Sequence, residues 1–191
     1  MNTATFSPLH SDRLTVRRIR LVDAPAFSRY RSLPEVSRFQ FWTSFDEATT
    51  TRMIGEQASL APDTPGTWFQ LVIAERTSDT AVGDLALHFR EDDERQVEIG
   101  VNLSPDYQHR GFATEAINLL LGYVFETLGK HRASAITDAD NLAAARLFRH
   151  LGFRQEGHFI EHIWFKGAYG SEYLFAMLAR EWQSHHSPSQ G

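Results

Sequence analysis

The chain has 191 residues, with 19 Lys and Arg against 24 Asp and Glu, a formal charge of −5, and 42% hydrophobic and 23% charged residues. At roughly 150 residues per domain this length suits one domain, and the composition excludes disordered and fibrous classes. Cysteine is absent, which excludes a disulfide framework, a thiolate metal site and a cysteine nucleophile together.

Met1 to His10 carries no basic stretch leading into an apolar run, so no secretory signal is read there. No window approaches the roughly 18 uninterrupted apolar residues of a membrane span. The mild acidity lacks the concentrated basic face that phosphate binding requires. Arg13, Arg17, Arg18 and Arg20 form a short cluster interleaved with apolar residues and read as the solvated face of a strand. A cytoplasmic protein with no nucleic-acid and no membrane partner is the expectation.

In chain order, Leu14 to Ile19 alternates as a first strand. Asp23 then caps a helix with Pro25 in its first turn, and that helix ends before Pro34. Ser44-Phe-Asp-Glu opens a second helix running to about Ser59. Trp68 to Ala74 and Ala81 to Phe89, rich in aromatic and β-branched residues, read as a strand and its hairpin partner. In the strand Gln96 to Leu103, Val97, Ile99, Val101 and Leu103 share one face and Glu98, Gly100 and Asn102 the other. A long helix follows from Phe112 to Leu128, with Gly129 at its end. A strand at Ala133 to Asp138, a helix at Leu142 to Leu151, and strands at Phe153 to Phe165 and Glu172 to Leu178 complete the domain. The alternation of strands and helices predicts an α/β (α+β) fold.

Gln108-His-Arg-Gly-Phe-Ala-Thr-Glu-Ala lies between a strand and a long helix. A helix start leaves about four backbone N–H groups unpaired at the positive end of the macrodipole, which makes it a ready anion site. Gly111 lets the backbone approach an anion, Ala113 keeps a second approach close, and Arg110 supplies charge at the rim. The segment is neither a P-loop nor a Gly-x-Gly-x-x-Gly fingerprint.

Gln108-x-x-Gly111-x-Ala113 resembles the Gln/Arg-x-x-Gly-x-Gly/Ala motif of the GNAT acyl-CoA N-acyltransferases, as do the flanking Glu98-Ile-Gly-Val-Asn-Leu-Ser-Pro and Ala-Thr-Glu-Ala. Asn141-Leu-Ala-Ala-Ala-Arg-Leu-Phe-Arg-His-Leu-Gly-Phe is similar to the second cofactor segment of that family. Trp164-Phe-Lys-Gly-Ala-Tyr-Gly-Ser-Glu-Tyr-Leu-Phe-Ala-Met-Leu resembles the branch of Rim-type ribosomal-protein N-acetyltransferases. The likeness runs from Leu9 to Trp182, so 9–182 is expected to be one GNAT domain and 183–191 a flexible tail. It implies a mixed, mostly antiparallel sheet of about seven strands flanked by helices, with a V-shaped gap between the two central strands. Acetyl-CoA would occupy that gap as cosubstrate, with no metal. Its pyrophosphate would take amides of His109, Arg110, Gly111, Phe112, Ala113 and Thr114 beside Gln108. Its pantetheine arm would pair with Val101 and Leu103 and with Asn141, and Phe148 would lie beside the thiol.

An attacking amine must lose a proton, and Glu98, with Gly100 leaving room beside it, is the first candidate base, His88 the second. His158 and His162 share a strand face and offer a possible lining for the acceptor cleft, without the third ligand that a metal needs. Two positions depart from the family pattern. Phe148 stands where many members have a tyrosine acid, and Ala144 where Rim-type members often have a serine. The acid that meets the CoA thiolate is thereby unassigned, with Tyr169 or water in view. The expected reaction is direct acetyl transfer to a primary amine, since no residue carries an acyl intermediate. A protein N-terminus is the acceptor that the branch likeness favours. Alternatives are a small amine, polyamine or aminoglycoside-like, and a non-enzymatic acyl-CoA sensor. The aromatic segments near Phe39 to Phe45 and Trp164 suit core packing, a pocket wall or a homodimer contact.

Overall fold

The run Trp68-Phe-Gln-Leu-Val-Ile-Ala is apolar on both alternating faces, and a strand of that kind must be covered on both sides. In the computed structural model, which describes residues 5–186, it is β3 (Trp68–Glu75), near the middle of one sheet. Phe69, Leu71 and Ile73 face one core, and Val72 and Ala74 face a second. The first core gathers α4 (Phe112–Gly122) and α5 (Leu142–His150); the second gathers α1 (Ala24–Arg31) and α3 (Glu47–Ala58).

Eight strands are described, in the order β1-β2-β3-β4-β5-β6-β8-β7. The remaining strands are β1 (Leu9–His10), β2 (Leu14–Arg18), β4 (Ala81–Phe89), β5 (Gln96–Leu103), β6 (Arg132–Asp138), β7 (Arg154–Phe165) and β8 (Ala168–Leu178). All neighbours are antiparallel except β5 and β6. The added strand over the expected seven is the two-residue β1, too short to show a period. α2 (Pro34–Ser37) begins at the proline expected only to end the preceding helix, and α6 (Ala179–His186) closes the described chain.

Several local expectations change. Asp23 does not cap α1 with its side chain. Its carboxylate instead accepts from Arg17 Nη1 and Nη2 (both 2.8 Å) and from the Arg20 N–H (2.8 Å), a buried charge held by three donors. Asp46 caps α3, accepting from Thr49 N at 2.7 Å. The long helix is α-helical to Gly122, then widens into a π turn over Tyr123–Thr127 before Gly129, at φ 65°, ends it. Residues 183–186, expected in a flexible tail, belong to α6, and residues 187–191 of that tail lie outside the described residues.

Candidate active site

β5 and β6 pair only at Gln96–Arg132, Val97–Ala133 and Glu98–Ser134. Beyond Glu98 the two strands separate, while β5 stays bonded to β4 through Leu103 and β6 stays bonded to β8 through Asp138. A V-shaped gap results, walled by the free edges of both strands. Ser104 N donates to Val82 O (2.9 Å), which turns that peptide toward β4. Antiparallel alternation then turns the peptide groups of Leu103, Val101 and Ile99 toward the gap. Strand-like pairing with an extended ligand is available there.

The gap opens on one side into a cleft of about 720 Å3 whose floor includes Val101, Leu103, Gln108, Gly111, Ala113 and Asn141. His109, Phe112 and Thr114 line it as well. Gly111 sits at the N-cap of α4 with φ 78° and no side-chain cap. The first N–H groups of α4 therefore have no intrahelical partner. The left-handed conformation is the reason for glycine: a Cβ built there would meet nothing nearer than Arg13 Nη2 at 3.5 Å, so backbone strain, not crowding by neighbours, excludes larger residues. Arg13 steadies this loop. Its guanidinium pairs with Glu115 (Nε to Oε2, 2.7 Å), donates to Arg110 O (3.0 Å) and lies over the Phe112 ring. Gln108 Nε2 donates to Leu103 O (3.2 Å), fastening the loop to the strand end. Asn141 caps α5, its Oδ1 accepting from Ala144 N at 3.1 Å, so its amide Nδ2 is the donor left for a ligand.

On the other side lies a cavity of about 590 Å3 that holds Glu98, Asp138 and Glu172 among aromatic walls from Phe39, Trp42 and Trp68. Glu98 is paired across the sheet with His88, which is in turn paired with Trp68 and stacked on it at 4.8 Å. Burial pushes the Glu98 carboxyl above its ordinary range; His88 opposes this, the Glu172 charge adds to it, and Arg90 opposes it. A raised carboxyl is better matched to taking a proton near neutral pH. Glu172 stands opposite Asp138 in the β6–β8 register, with its Oε2 2.6 Å from His162 Nε2.

Beneath the cavity, Asp84 is 1% exposed and accepts from Tyr30 Oη (2.7 Å), Arg31 Nη2 (2.6 Å), Gln70 Nε2 (2.9 Å) and Asn102 Nδ2 (3.1 Å). The Arg31 guanidinium lies over the rings of Phe27, Trp42 and Phe45. This cluster ties α1 to the polar face of β5. One side of the cavity is closed where Lys166 Nζ, at the β7–β8 turn, donates to Ser37 O (2.6 Å) and Trp42 O (2.9 Å), and Phe41 meets Phe165 edge to face.

The two spaces share Phe39, Gln40, Val101, Asn102, Asn141 and Ala144, so they are confluent at the free edge of β5. Not every residue expected here arrives. Arg110 does not line the cleft; its guanidinium lies over Tyr107. Phe148 lines the cavity with Glu98, together with Asn141 and Ala144, and stacks on Phe175. His158 rests against Tyr173, and a bulge between Phe159 and Ile163, with Glu161 at φ 46°, breaks the alternation that placed His158 and His162 on one face. Neither lines the cavity, nor does Tyr169, which is 63% exposed and packs on Trp164. Asp138, Glu172, Arg31 and Thr137 were not picked out from the sequence. For Asp138, Glu172 and Thr137 the signal is a strand register, and for Arg31 the packing of α1 on the sheet, neither of which one sequence displays.

A splayed parallel strand pair, a glycine-started helix at one mouth of the gap and a carboxylate-lined cavity at the other are the frame of an acyltransferase. The model of the acetyltransferase (GNAT) domain matches residues 13–154, and the chain belongs to that family. It is 29% identical over 175 residues to the uncharacterized N-acetyltransferase p20 of Bacillus licheniformis, covering 91% of this chain and 97% of that protein. The crystal structure of a GNAT acetyltransferase from Bacillus anthracis superposes with a TM-score of 0.82 at 25% identity, over 92% of this chain and 100% of the other. Over 97 residues, 50% of this chain and 52% of the relative, it is 30% identical to the spermidine N(1)-acetyltransferase of Escherichia coli. The ribosomal-protein-S5-alanine acetyltransferase of Vibrio fischeri shares the fold, with a TM-score of 0.79 at 18% identity over 93% of this chain and 99% of that one. The protein is an acetyl-CoA-dependent acyltransferase. Among the described residues no group of three or more His, Asp or Glu is placed to hold a metal ion, and no helix is long and apolar enough to cross a membrane.

Proposed function

We propose that the chain transfers the acetyl group of acetyl-CoA directly to a primary amine on a compact, positively charged acceptor. The observation that carries this reading is the confluence of the two spaces at Val101, Asn102 and Asn141. It lets donor and acceptor occupy the protein together. Acetyl-CoA supplies an acetyl group already activated as a thioester.

The fit of the cleft to that substrate rests on three features of the chain. The free peptide group of Val101 and the Leu103 N–H would hold an extended arm, and Asn141 Nδ2 would donate to it from the opposite wall. The N–H groups that follow Gly111, from Phe112 to Thr114 with His109 beside them, would hold the diphosphate. Glu98 takes the proton of the amine, directly or through one water, and its burial raises its basicity above that of an ordinary glutamate.

Glu98, Asp138 and Glu172 together favour a cationic amine, and the aromatic walls suit its alkyl portion. The Lys166 closure and a volume within the usual small-molecule range favour a compact acceptor. The second reading is a protein N-terminus, supported by the likeness of Trp164 to Leu178 to Rim-type enzymes. The absence of cysteine suits a cytoplasmic setting. Release of CoA with polyamines, small monoamines and N-terminal peptides tests the choice. Turnover highest with polyamines supports the compact acceptor, and turnover confined to peptides replaces it with the second reading.

A further inference from the structure

The polar face of β5 carries Glu98, Gly100 and Asn102, and all three line the acceptor cavity. Gly100 lacks the positive φ that demands glycine, and a Cβ built on it would meet only the Ala86 Cβ, at 3.7 Å. Neither backbone strain nor crowding excludes a side chain there. What its absence provides is open space, a trough beside Ala86, the register partner of Gly100 on β4. Glu98 bounds the trough at one end and Asn102 at the other, about 13 Å apart along the strand, room for one nitrogen and a water.

Asn102 is fixed from beneath. Its Nδ2 donates to Oδ2 of Asp84, its register partner, at 3.1 Å. Asp84 also accepts from Arg31 Nε (3.2 Å) and Nη2 (2.6 Å), and a carboxylate so paired can only accept. The Asn102 amide therefore turns its nitrogen to Asp84 and its oxygen away. Among the described residues nothing donates to that Oδ1, which keeps accessible surface. Asn102 is one of three polar residues, with Gln40 and Asn141, that line both the cleft and the cavity. The Asn141 oxygen is taken up by the Ala144 N–H. Asn102 Oδ1 is thus an oriented and unused acceptor at the place where thioester and amine must meet.

We propose that the reacting nitrogen sits in the trough over Gly100 and donates one N–H to Asn102 Oδ1, while Glu98 takes a proton from it on the other side. This deepens the reading of the cavity as the amine's and rests on that reading. An amine or ammonium brings at least two N–H donors to the two acceptors, whereas a hydroxyl brings one O–H. Asn102 thereby selects nitrogen over oxygen and orients the nitrogen's lone pair for attack. In the reaction the nitrogen bonds to the acetyl carbon, and the carbon–sulfur bond breaks with its electron pair going to sulfur. The amine proton goes to Glu98, directly or through the water. The N–H held by Asn102 stays on nitrogen, so no proton passes through the amide.

The test compares Asn102→Ala and Gly100→Ala with the unaltered protein. Four readouts serve: thermal melting, calorimetric binding of acetyl-CoA, kinetics with the amine that turns over fastest, and inhibition by the analogue of that amine with hydroxyl in place of the reacting amino group. Both variants should bind acetyl-CoA as the unaltered protein does. Asn102→Ala should lower kcat/KM for the amine by about tenfold, the scale of a hydrogen bond from a charged group. Inhibition by the hydroxyl analogue should be nearly unchanged in it, because that molecule keeps Glu98 as its acceptor. Gly100→Ala places a methyl in ordinary contact with Ala86, so it should melt like the unaltered protein while weakening amine and hydroxyl analogue alike. An Asn102→Ala protein that loses both molecules equally overturns the proposal, since loosened packing would do that. So does one with unaltered amine kinetics. Should Asn102→Ala fail to fold, Gly100→Ala decides, and unaltered amine kinetics in it overturn the placing of the nitrogen in the trough. An unaltered protein that binds acetyl-CoA and acetylates no amine overturns the reading of the cavity, and this inference with it. Normal amine turnover with an unmoved preference for amine over hydroxyl in Asn102→Ala overturns this inference alone.

Discussion

Replacing Glu98 by glutamine should move activity and stability in opposite directions. Glu98 is the carboxylate on the polar face of the gap strand, and burial raises its pKa above the ordinary glutamate range. A positioned general base contributes about 10²–10⁴ in rate. Asp138 and Glu172 in the same cavity still attract a cationic amine, so the lower end applies to Glu98→Gln. That is a loss of about a hundredfold in kcat, or about 2.7 kcal/mol of barrier. In the unaltered enzyme kcat should rise with pH along a limb displaced above the ordinary glutamate range, and the loss in the variant should grow along that limb. The stability sign follows from the same shift. A carboxyl whose folded pKa is raised binds more protons folded than unfolded, so its contribution is present at low pH and lost as pH rises through the folded value. Glu98→Gln removes that loss. Its melting temperature should match the wild type below the ordinary glutamate pKa and exceed it at neutral pH. Kinetics and thermal melts across pH, on the same two proteins, check both halves. A variant with wild-type kcat, or one less stable than the wild type at neutral pH, would refute the reasoning.

Gly111→Ala should cost about 1–2 kcal/mol through the left-handed backbone and weaken CoA binding by about tenfold, read by calorimetry; unchanged affinity would separate the loop from the diphosphate. Asp84→Ala leaves Arg31, 5% exposed, without its carboxylate, and should destabilise the fold by about 3–5 kcal/mol in denaturant titrations. A loss under 1 kcal/mol would mean that Arg31 finds another partner. Lys166→Met removes both hydrogen bonds that close the cavity wall and should raise the acceptor KM several-fold while leaving the KM of acetyl-CoA unchanged; equal shifts in both would argue against a role confined to the acceptor side.

Much of the fold was legible because its signals are local. The alternation of Val97, Ile99, Val101 and Leu103 against Glu98, Gly100 and Asn102 gave β5 its bounds and its two faces. Gly111 and Gly129 marked the ends of the long helical segment through their positive φ. What was not legible depends on strand pairing or on competition between local signals. Asp23 looked like a cap from its neighbours, but Arg17, close only once β2 is in place, engages its carboxylate. Glu172 meets the site through its register with Asp138, and Thr137 through the side of β6 it occupies. The bulge near Glu161 cancels the period that joined His158 to His162. The donor cleft was thus readable from a motif, whereas the acceptor cavity, assembled from segments far apart in the chain, was not.

The central claim is that both substrates occupy the confluent spaces together and react without an acyl-enzyme. Initial velocities measured over a grid of acetyl-CoA and amine concentrations, with the amine that turns over fastest, test it directly. Intersecting double-reciprocal lines are predicted; parallel lines, the sign of an acetyl group held by the protein between two half-reactions, would contradict the account.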